Sequence, residues 1–298
     1  DLHRVDRRQR QMCIRDSPKI LREIFKNTDL VIAVHCEDET TIRENTSKAE
    51  MIFGEDIPIE QHPIIRSEEA CYLSSSQAIT LAKETGARLH VFHISTAKEL
   101  SLFRNDIPLK DKKITAEVCV HHLWFTSDDY ALKGTNIKWN PAIKTKQDRD
   151  ALWAGLNSDL LDVIASDHAP HSMEEKANKY KDAPSGGPLV QHSLPALLSA
   201  HHQGKITLEK IVEKACHNPA ILFDIKERGY IREGYFADLI FVSLDKEHLV
   251  EKSSLLYKCG WSPFEGTTFK GSVERTLLNG QWAYKDGEVQ PVSAAKAL

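Results

Sequence analysis

DVIASDHAPHSMEEK, residues 162–176, joins a short apolar run to an acid and two histidines that lie within five positions. An apolar run of this length, bounded by polar residues, predicts a buried strand of a parallel sheet. Asp167 and His171 then follow the carboxyl end of that strand, and α/β folds collect their chemistry at such ends. The segment therefore predicts both a fold class and the place of a functional site.

Three further strand-like runs precede this one and alternate with helical patterns. Gly86 ends the clearest helical pattern, as glycine commonly does just after a helix. Alternation of this kind predicts right-handed βα units and a parallel sheet. The four predicted strands are residues 30–36, 88–94, 114–120 and 161–166, and the clearest helices are residues 67–85 and 146–158.

The two ends of the chain differ from this α/β part, which we assign to residues 17–227. Residues 1–16 are rich in arginine and lack periodicity, so we predict a tail that is not native to the protein. A Ser-Pro pair at 17–18 predicts a helix start with serine as the N-cap. Residues 228–298 carry short alternating strands and an Asn-Gly hairpin signal at 279–280, which predict a small β unit.

The composition excludes several classes of function. The 298-residue chain is 41% hydrophobic, enough for a folded core, and its formal net charge of -4 offers no basic surface for nucleic acid. No apolar run reaches the roughly 18 residues of a membrane span. The six cysteines are scattered without a CxxC pair, which favours a cytoplasmic location, and no glycine-rich nucleotide motif is present.

Metal-ligating residue types stand at the carboxyl ends of three predicted strands. His35 ends the first strand, His93 the second and Asp167 the fourth. Any one of these histidines, taken singly, would be better explained as a structural residue. Together they suit zinc, because imidazole nitrogens and a carboxylate oxygen from one sheet edge can converge on an ion. We therefore expect a metal site and hydrolytic chemistry, since a bound cation activates water near neutral pH.

Several motifs together resemble one enzyme family. SDHAPHSMEEK, HCEDE, HIST, KWNPAIK and APSGGPLVQHSLP are similar to motifs of bacterial dihydroorotases, in the cyclic amidase branch of the amidohydrolase superfamily. The resemblance runs from about residue 17 to the end of the chain. It implies the C-terminal half of a TIM-type (β/α)8 metal-dependent hydrolase barrel, followed by a small β unit. It also implies reversible hydrolysis of the cyclic amide of dihydroorotate to N-carbamoyl-aspartate, in pyrimidine biosynthesis.

The resemblance implies a role for each candidate ligand. His35 and His93 would hold the more buried metal of a two-zinc site, and Asp167 would bind the other metal. The metals, zinc or other divalent ions, would polarise the carbonyl oxygen of the ring amide. Asp167 would also take the proton of the attacking hydroxide and deliver it to the departing nitrogen, as base and then as acid.

The resemblance also implies a substrate site. Asn140 and His171 match positions that bind dihydroorotate, and the backbone around Ser185 and Gly186 matches a loop that closes over it. Hydantoinases and allantoinases resemble this layout but typically carry another residue where His171 stands. That histidine therefore favours a carboxylated ring over a neutral one. The family also implies a homodimer.

Structural roles compete with these functional ones. Asn140 precedes a proline, so a turn alone could account for it. We expect His168 to serve local packing or a hydrogen bond, and Cys36 to be a buried thiol. His121 and His122 would point to opposite faces of an extended strand, which argues against a shared metal. We assign them a structural role, with a near-site role for one of them as the lesser alternative.

Part of the family pattern is missing from this sequence. No His-x-His pair follows a strand, and neither the family's substrate arginine nor its bridging lysine or aspartate is found. Four strands are half of the eight in a full barrel. We therefore expect a C-terminal part of the enzyme that is inactive and aggregation-prone by itself. The alternatives are another cyclic amidase, such as a dihydropyrimidinase, hydantoinase or allantoinase, and a non-catalytic homologue that acts as a partner subunit.

Overall fold

The computed structural model describes residues 18–292, and its first sheet is parallel. The strands are β1 (Ile32–Val34), β2 (Leu89–Val91), β3 (Ile114–Cys119) and β4 (Val163–Ala165), and they pair in that order. The predicted parallel α/β sheet is confirmed. The predicted tail of residues 1–16 and the N-cap at Ser17 lie outside the described residues.

All four strands are shorter than predicted, and β2 and β4 end where the chain turns away from the sheet close to the candidate ligands. His93 has a φ of 38° and Asp167 a φ of 46°. These angles are left-handed backbone, which does not continue a strand and is uncommon for residues other than glycine. Both side chains therefore stand on turns just beyond the strands, where non-glycine residues with such angles are often functional.

Helices connect the strands. In the longest helix, Glu68–Thr85, Ser67 caps the N-terminus with its side chain and Gly86 ends the helix with a φ of 75°. A capping box begins Lys146–Asn157. Both helices confirm their predictions. No helix of the described part of the chain is long and apolar enough to cross a membrane.

The helices in chain order are α1 (Pro18–Lys26), α2 (Glu39–Phe53), α3 (His62–Ile65), α4 (Glu68–Thr85), α5 (Val120–Trp124), α6 (Tyr130–Lys133), α7 (Lys146–Asn157), α8 (Met173–Lys176), α9 (Val190–His202), α10 (Leu208–Val212) and α11 (Asn218–Leu222). A π-helical turn, Glu213–His217, joins α10 to α11. Short 3₁₀ turns lie at Ile59–Gln61, Lys98–Leu102, Leu109–Asp111, Ser127–Asp129, Gly134–Ile137 and Lys252–Ser254.

A second, antiparallel sheet follows the α/β part. Its strands are β5 (Leu239–Leu249), β6 (Thr268–Leu278), β7 (Gln281–Lys285) and β8 (Glu288–Val289), paired in that order. Asn279 and Gly280 join β6 to β7 with φ values of 48° and 78°, as a tight primed hairpin turn requires. The predicted β-rich character of this region is confirmed, and the boundary near residue 227 stays a prediction.

The second sheet packs on the α/β part through α9. Gly271 of β6 has a φ of 105°, and a Cβ there would lie 2.6 Å from Cβ of Leu198 on α9. Glycine thus permits the close approach. Lys270 N donates a hydrogen bond to Ser199 Oγ at 2.6 Å across the same contact. Phe269 belongs to the buried cluster that also contains the parallel strands, so the two sheets share one core.

Candidate active site

His35 and His93 meet at the carboxyl edge of the parallel sheet. Nδ1 of His35 lies 3.0 Å from Nε2 of His93, and the ring centroids are 4.8 Å apart. Two nitrogen ligands of a tetrahedral zinc ion, each about 2.0–2.1 Å from the metal, lie about 3.4 Å apart. The two nitrogens are therefore close to the spacing that one ion requires. The structure brings these two predicted ligands together.

A buried carboxylate orients His35. Oε2 of Glu37 lies 3.0 Å from Nε2 of His35 and also pairs with the Arg66 guanidinium. Burial alone would raise the pKa of Glu37, but the hydrogen bond from His35 and the charge of Arg66 lower it, so the carboxylate stays ionised. Nε2 of His35 then carries the ring proton. Its Nδ1 keeps the lone pair that a metal needs.

A second buried carboxylate supports His93. Oε1 of Glu117 accepts a hydrogen bond from His93 N at 3.3 Å, and its Oε2 lies 3.1 Å from Nε2 of His90. Glu117 thereby holds the backbone where His93 takes its positive φ. Neither Glu37 nor Glu117 was predicted. The signal for Glu37 is its place two residues after His35, and the signal for Glu117 is an acid inside the apolar run ITAEVCV.

Asp167 lies on the turn after β4, apart from the histidine pair. Within residues 18–292, His35, His93 and Asp167 do not form a group whose ligand atoms all lie within 4.8 Å of one another. Burial raises the pKa of Asp167, the charge of Glu117 raises it further, and His35 lowers it. A carboxyl with a raised pKa exchanges protons closer to neutral pH. The metal role of Asp167 stays a prediction, and its separation from the pair suits a second metal position.

Three of the predicted substrate residues form a hydrogen-bonded chain. Ser185 Oγ donates to Oδ1 of Asn140 at 2.9 Å, and Nε2 of His171 lies 3.1 Å from Ser185 O. A carbonyl oxygen only accepts, so Nε2 of His171 carries the proton. The structure thus brings Asn140, His171 and Ser185 together beside Gly186. Their role in substrate binding stays a prediction.

The loop that contains Ser185 docks on the segment after β4. Gly186 has a φ of 121°, and a Cβ there would lie 2.5 Å from the carbonyl oxygen of Ala169. Only glycine fits this position without a shift of the backbone. Ala169 N also donates to the carbonyl oxygen of Gly187 at 3.2 Å. These contacts fix the loop against the DHAPH segment.

Two buried lysines, which were not predicted, tie this loop to its surroundings. Nζ of Lys176 donates to the carbonyl oxygens of Pro184 and Gly186, both at 2.9 Å. Nζ of Lys138 donates to the carbonyl oxygen of Ala183 at 2.5 Å. Burial lowers the pKa of Lys176 to about 7 and that of Lys138 to about 8, because the charged ammonium groups lose water. The loop is therefore held by hydrogen bonds from two buried amino groups.

Two neighbours of the candidate ligands have packing roles, as predicted. Nδ1 of His168 accepts a hydrogen bond from Leu189 N at 3.0 Å, and the His168 ring stacks on Tyr257. Cys36 is buried, and burial raises the pKa of its thiol to about 12. The predictions for His168 and Cys36 are therefore confirmed.

The prediction that His121 and His122 point to opposite faces of a strand is wrong. Both lie in the short helix α5, which follows β3 directly, and their ring centroids are 4.1 Å apart. Successive side chains on a helix differ by about 100° in direction, so neighbours can converge on one side. The strand ends at Cys119, one residue earlier than predicted. Ligand atoms of Cys119, His121 and His122 all lie within 4.8 Å of one another.

Known proteins with similar sequences include dihydroorotases and allantoinases. The chain matches the Amidohydrolase family over residues 11–283. It is 33% identical over 241 residues to a dihydroorotase from Halobacterium salinarum, covering 80% of this chain and 53% of that protein. It is 34% identical over 269 residues to an allantoinase from Desulfitobacterium hafniense, covering 88% of this chain and 59% of that protein. The chain thus spans between half and two thirds of the length of these relatives.

Solved structures agree with the fold. An L-hydantoinase (dihydropyrimidinase) from Arthrobacter aurescens superposes with a TM-score of 0.84 at 29% identity, covering 92% of this chain and 62% of that one. A D-hydantoinase from a Bacillus species superposes with a TM-score of 0.82 at 24% identity, covering 92% and 62%. The predicted barrel portion with a small β unit is confirmed. Since the family match extends over most of the sequence, the chain belongs to the amidohydrolase family.

Proposed function

We propose that this protein hydrolyses a cyclic amide and that its substrate is dihydroorotate. The observation that carries the proposal is the facing pair of nitrogens, His35 Nδ1 and His93 Nε2, 3.0 Å apart at the edge of the sheet. Asp167 and His171 follow β4 and supply acid–base and substrate-binding groups to the same edge. Amide hydrolysis needs a polarised carbonyl, a nucleophilic water and a proton for the leaving nitrogen.

The histidine pair fits a divalent metal, and we propose zinc. Glu37 accepts a hydrogen bond from Nε2 of His35 and so keeps the ring proton on that nitrogen, which leaves Nδ1 free beside His93. Imidazole nitrogens held by a carboxylate in this way are common zinc ligands. A metal held here would supply Lewis-acid polarisation of the amide carbonyl.

We propose Asp167 as the proton carrier. Burial and Glu117 raise its pKa, so its carboxylate can accept a proton from the attacking water and then release it. The oxygen of that water bonds to the carbonyl carbon, and the ring C–N bond breaks. The proton held by Asp167 goes to the departing nitrogen. The product is an open chain with a new carboxylate.

His171 supports a substrate that carries its own carboxylate. A protonated imidazole offers a charged donor to an anion. Asn140 and Ser185 lie in the same hydrogen-bonded chain and add polar groups for orientation. The similar proteins include an allantoinase and a hydantoinase, so other cyclic amides form the second candidate class.

A substrate panel tests the proposal. The protein, expressed with any coding sequence found upstream of this chain, is loaded with zinc and assayed with dihydroorotate, hydantoin, allantoin and dihydrouracil. We expect the highest kcat/KM for dihydroorotate, and a KM at least about tenfold higher in His171→Ala, because a charged hydrogen bond is lost. His202→Ala, a change at an exposed histidine, is the control. If the protein prefers a neutral ring, and His171→Ala does not change that preference, dihydroorotate is not the substrate and another cyclic amide is.

We further propose a cytoplasmic homodimer. Cys36, Cys71, Cys119, Cys216 and Cys259 are free thiols, which supports a reducing compartment. The dimer rests on the resemblance to dihydroorotases. Sedimentation of the purified protein measures it, and a monomer at micromolar concentration would contradict it.

A further inference from the structure

We propose that Cys119, His121 and His122 form a second metal site, separate from the His35–His93 pair. Among the described residues, this is the group of metal-ligating side chains whose ligand atoms all lie within 4.8 Å of one another. The three residues, here called the Cys119 cluster, are 0%, 0% and 2% exposed. A cluster buried to this degree must satisfy its polar atoms internally.

The hydrogen bond of His122 determines which of its nitrogens is free. Nε2 lies 3.1 Å from the carbonyl oxygen of Pro141, which can only accept, so Nε2 carries the proton. Nδ1 of His122 is then an acceptor, and within residues 18–292 it has no hydrogen-bond partner. A buried lone pair without a donor is unfavourable, so this position favours a cation or a donor.

His121 adds a second lone pair to the cluster. Neither of its ring nitrogens meets hydrogen-bond geometry with another described residue, although the ring faces the carbonyl of Ser166. A neutral imidazole has a single N–H, so at least one nitrogen of His121 is an acceptor. The ring stacks on Trp139, with centroids 4.5 Å and planes 14° apart. Stacking fixes the ring but leaves its in-plane lone pair available.

The thiol of Cys119 cannot satisfy both histidines, because it has a single proton to donate. A divalent cation can satisfy all three groups. Binding would release the thiol proton to solvent and form one metal–thiolate bond and two metal–imidazole bonds. Glu117 and Asp167 act electrostatically on Cys119. Their charges oppose a lone thiolate but favour a cation beside it.

The sulfur and nitrogen ligands of the Cys119 cluster restrict which metal it can bind. One sulfur and two nitrogen ligands suit zinc and related transition metals, whereas calcium and magnesium prefer oxygen. Because the cluster is buried, we infer that the metal enters during folding. It would join the end of β3 to α5, so its role is to stabilise the fold beside the proposed active site.

Cobalt(II) distinguishes this site from the His35–His93 pair, because a bond between cobalt and thiolate gives a charge-transfer absorption that imidazole ligands lack. The protein is unfolded, refolded with Co²⁺ and freed of unbound metal. We expect a charge-transfer band whose intensity corresponds to one cobalt per chain in the wild type and in His35→Ala/His93→Ala. The wild type should bind further cobalt at the His35–His93 pair, without adding to the band. Cys119→Ser should lose the band. Cys71→Ser, a matched change at another fully buried thiol, should keep it.

His122→Gln is an independent test that preserves more of the structure. The glutamine amide can still donate to the Pro141 carbonyl, but it offers no nitrogen lone pair. We expect the cobalt affinity of the Cys119 cluster to fall at least about tenfold, with the fold checked by circular dichroism. A wild type without the band, or a band that persists in Cys119→Ser, would overturn the proposal. If Cys119→Ser does not fold, an unchanged affinity in His122→Gln overturns it.

Discussion

Replacing Glu37 with glutamine should weaken metal binding at His35 without changing the ligand itself. The substitution keeps the size of the side chain but removes the charge that holds Nε2 of His35 at 3.0 Å. A carboxylate that orients a metal-binding histidine contributes about 10–100-fold to metal affinity. Since each tenfold change equals about 1.4 kcal/mol, we expect a loss of about 1.4–2.8 kcal/mol in the free energy of zinc binding.

The same substitution should also destabilise the fold, because it leaves the Arg66 guanidinium without its partner. Removing one member of a fully buried ion pair costs about 3–5 kcal/mol. The Arg66 side chain is 19% exposed and that of Glu37 is 0% exposed, so water screens part of the orphaned charge. We expect a loss of about 2–3 kcal/mol in the free energy of unfolding. Adding Arg66→Met should recover stability but not zinc affinity.

Two assays separate these effects. Competition with a chromophoric chelator gives the zinc affinity, in a Cys119→Ser background so that the His35–His93 pair is measured alone. Urea unfolding followed by circular dichroism gives the stability. Glu39→Gln, at an exposed acid in the same segment, should change neither quantity. A zinc affinity in Glu37→Gln equal to that of the wild type would show that Glu37 does not orient a ligand.

Three further predictions concern the substrate loop. Trp261 Nε1 donates to the carbonyl oxygen of His171 at 2.8 Å, so Trp261→Phe should raise KM about 5–10-fold with kcat unchanged, whereas Trp282→Phe should leave KM alone. Gly186→Ala should lower the free energy of unfolding by about 2–3 kcal/mol in urea, because φ is 121° and the added Cβ meets a carbonyl oxygen at 2.5 Å. The pKa of Lys176 is lowered from 10.5 to about 7, so the unfolded chain binds more protons than the folded one between these values. Wild-type stability should therefore rise by about 2 kcal/mol between pH 7 and 9 relative to Lys176→Met.

A specific result would contradict each of these three predictions. An equal rise in KM for Trp261→Phe and Trp282→Phe would mean that ring packing, not the hydrogen bond, is measured. Full stability of Gly186→Ala would mean that the loop relaxes at no cost. A pH dependence that is the same in Lys176→Met and in the wild type would mean that Lys176 does not titrate in this range.

The strand ends and their candidate ligands could be predicted because both are local features of the sequence. An apolar run followed by a histidine or an acid is visible in one segment, and parallel strands bring their carboxyl ends to one edge. His35 and His93 therefore meet although 58 residues separate them. The limits of α4 were predictable because they too depend on local residues. Ser67 caps the first turn of the helix with its side chain, and Gly86 ends the helix in a left-handed conformation.

The supporting groups could not be predicted, because their roles depend on distant contacts. Glu37 is held by Arg66, which lies 29 residues away in the chain, and Glu117 acts on His93 from a neighbouring strand. The error at His121 has a similar cause. VHHLWF continues a strand-like pattern, but the segment becomes helix α5, where Trp153 of α7 donates to the carbonyl oxygen of Leu123 at 2.9 Å. Tertiary packing there overrides local propensity.

The protein is expressed with any coding sequence found upstream of this chain, freed of metal and titrated with zinc. Measuring bound zinc and dihydroorotate hydrolysis on the same samples tests whether His35 and His93 hold the metal needed for ring opening. The rate should rise in proportion to zinc bound at this pair. His93→Ala should abolish both zinc binding at the pair and hydrolysis. Asp167→Asn should keep zinc at the pair and lose hydrolysis, because the proton carrier is gone. Hydrolysis by the metal-free protein, or full zinc binding without opening of any cyclic amide, would contradict the proposed function.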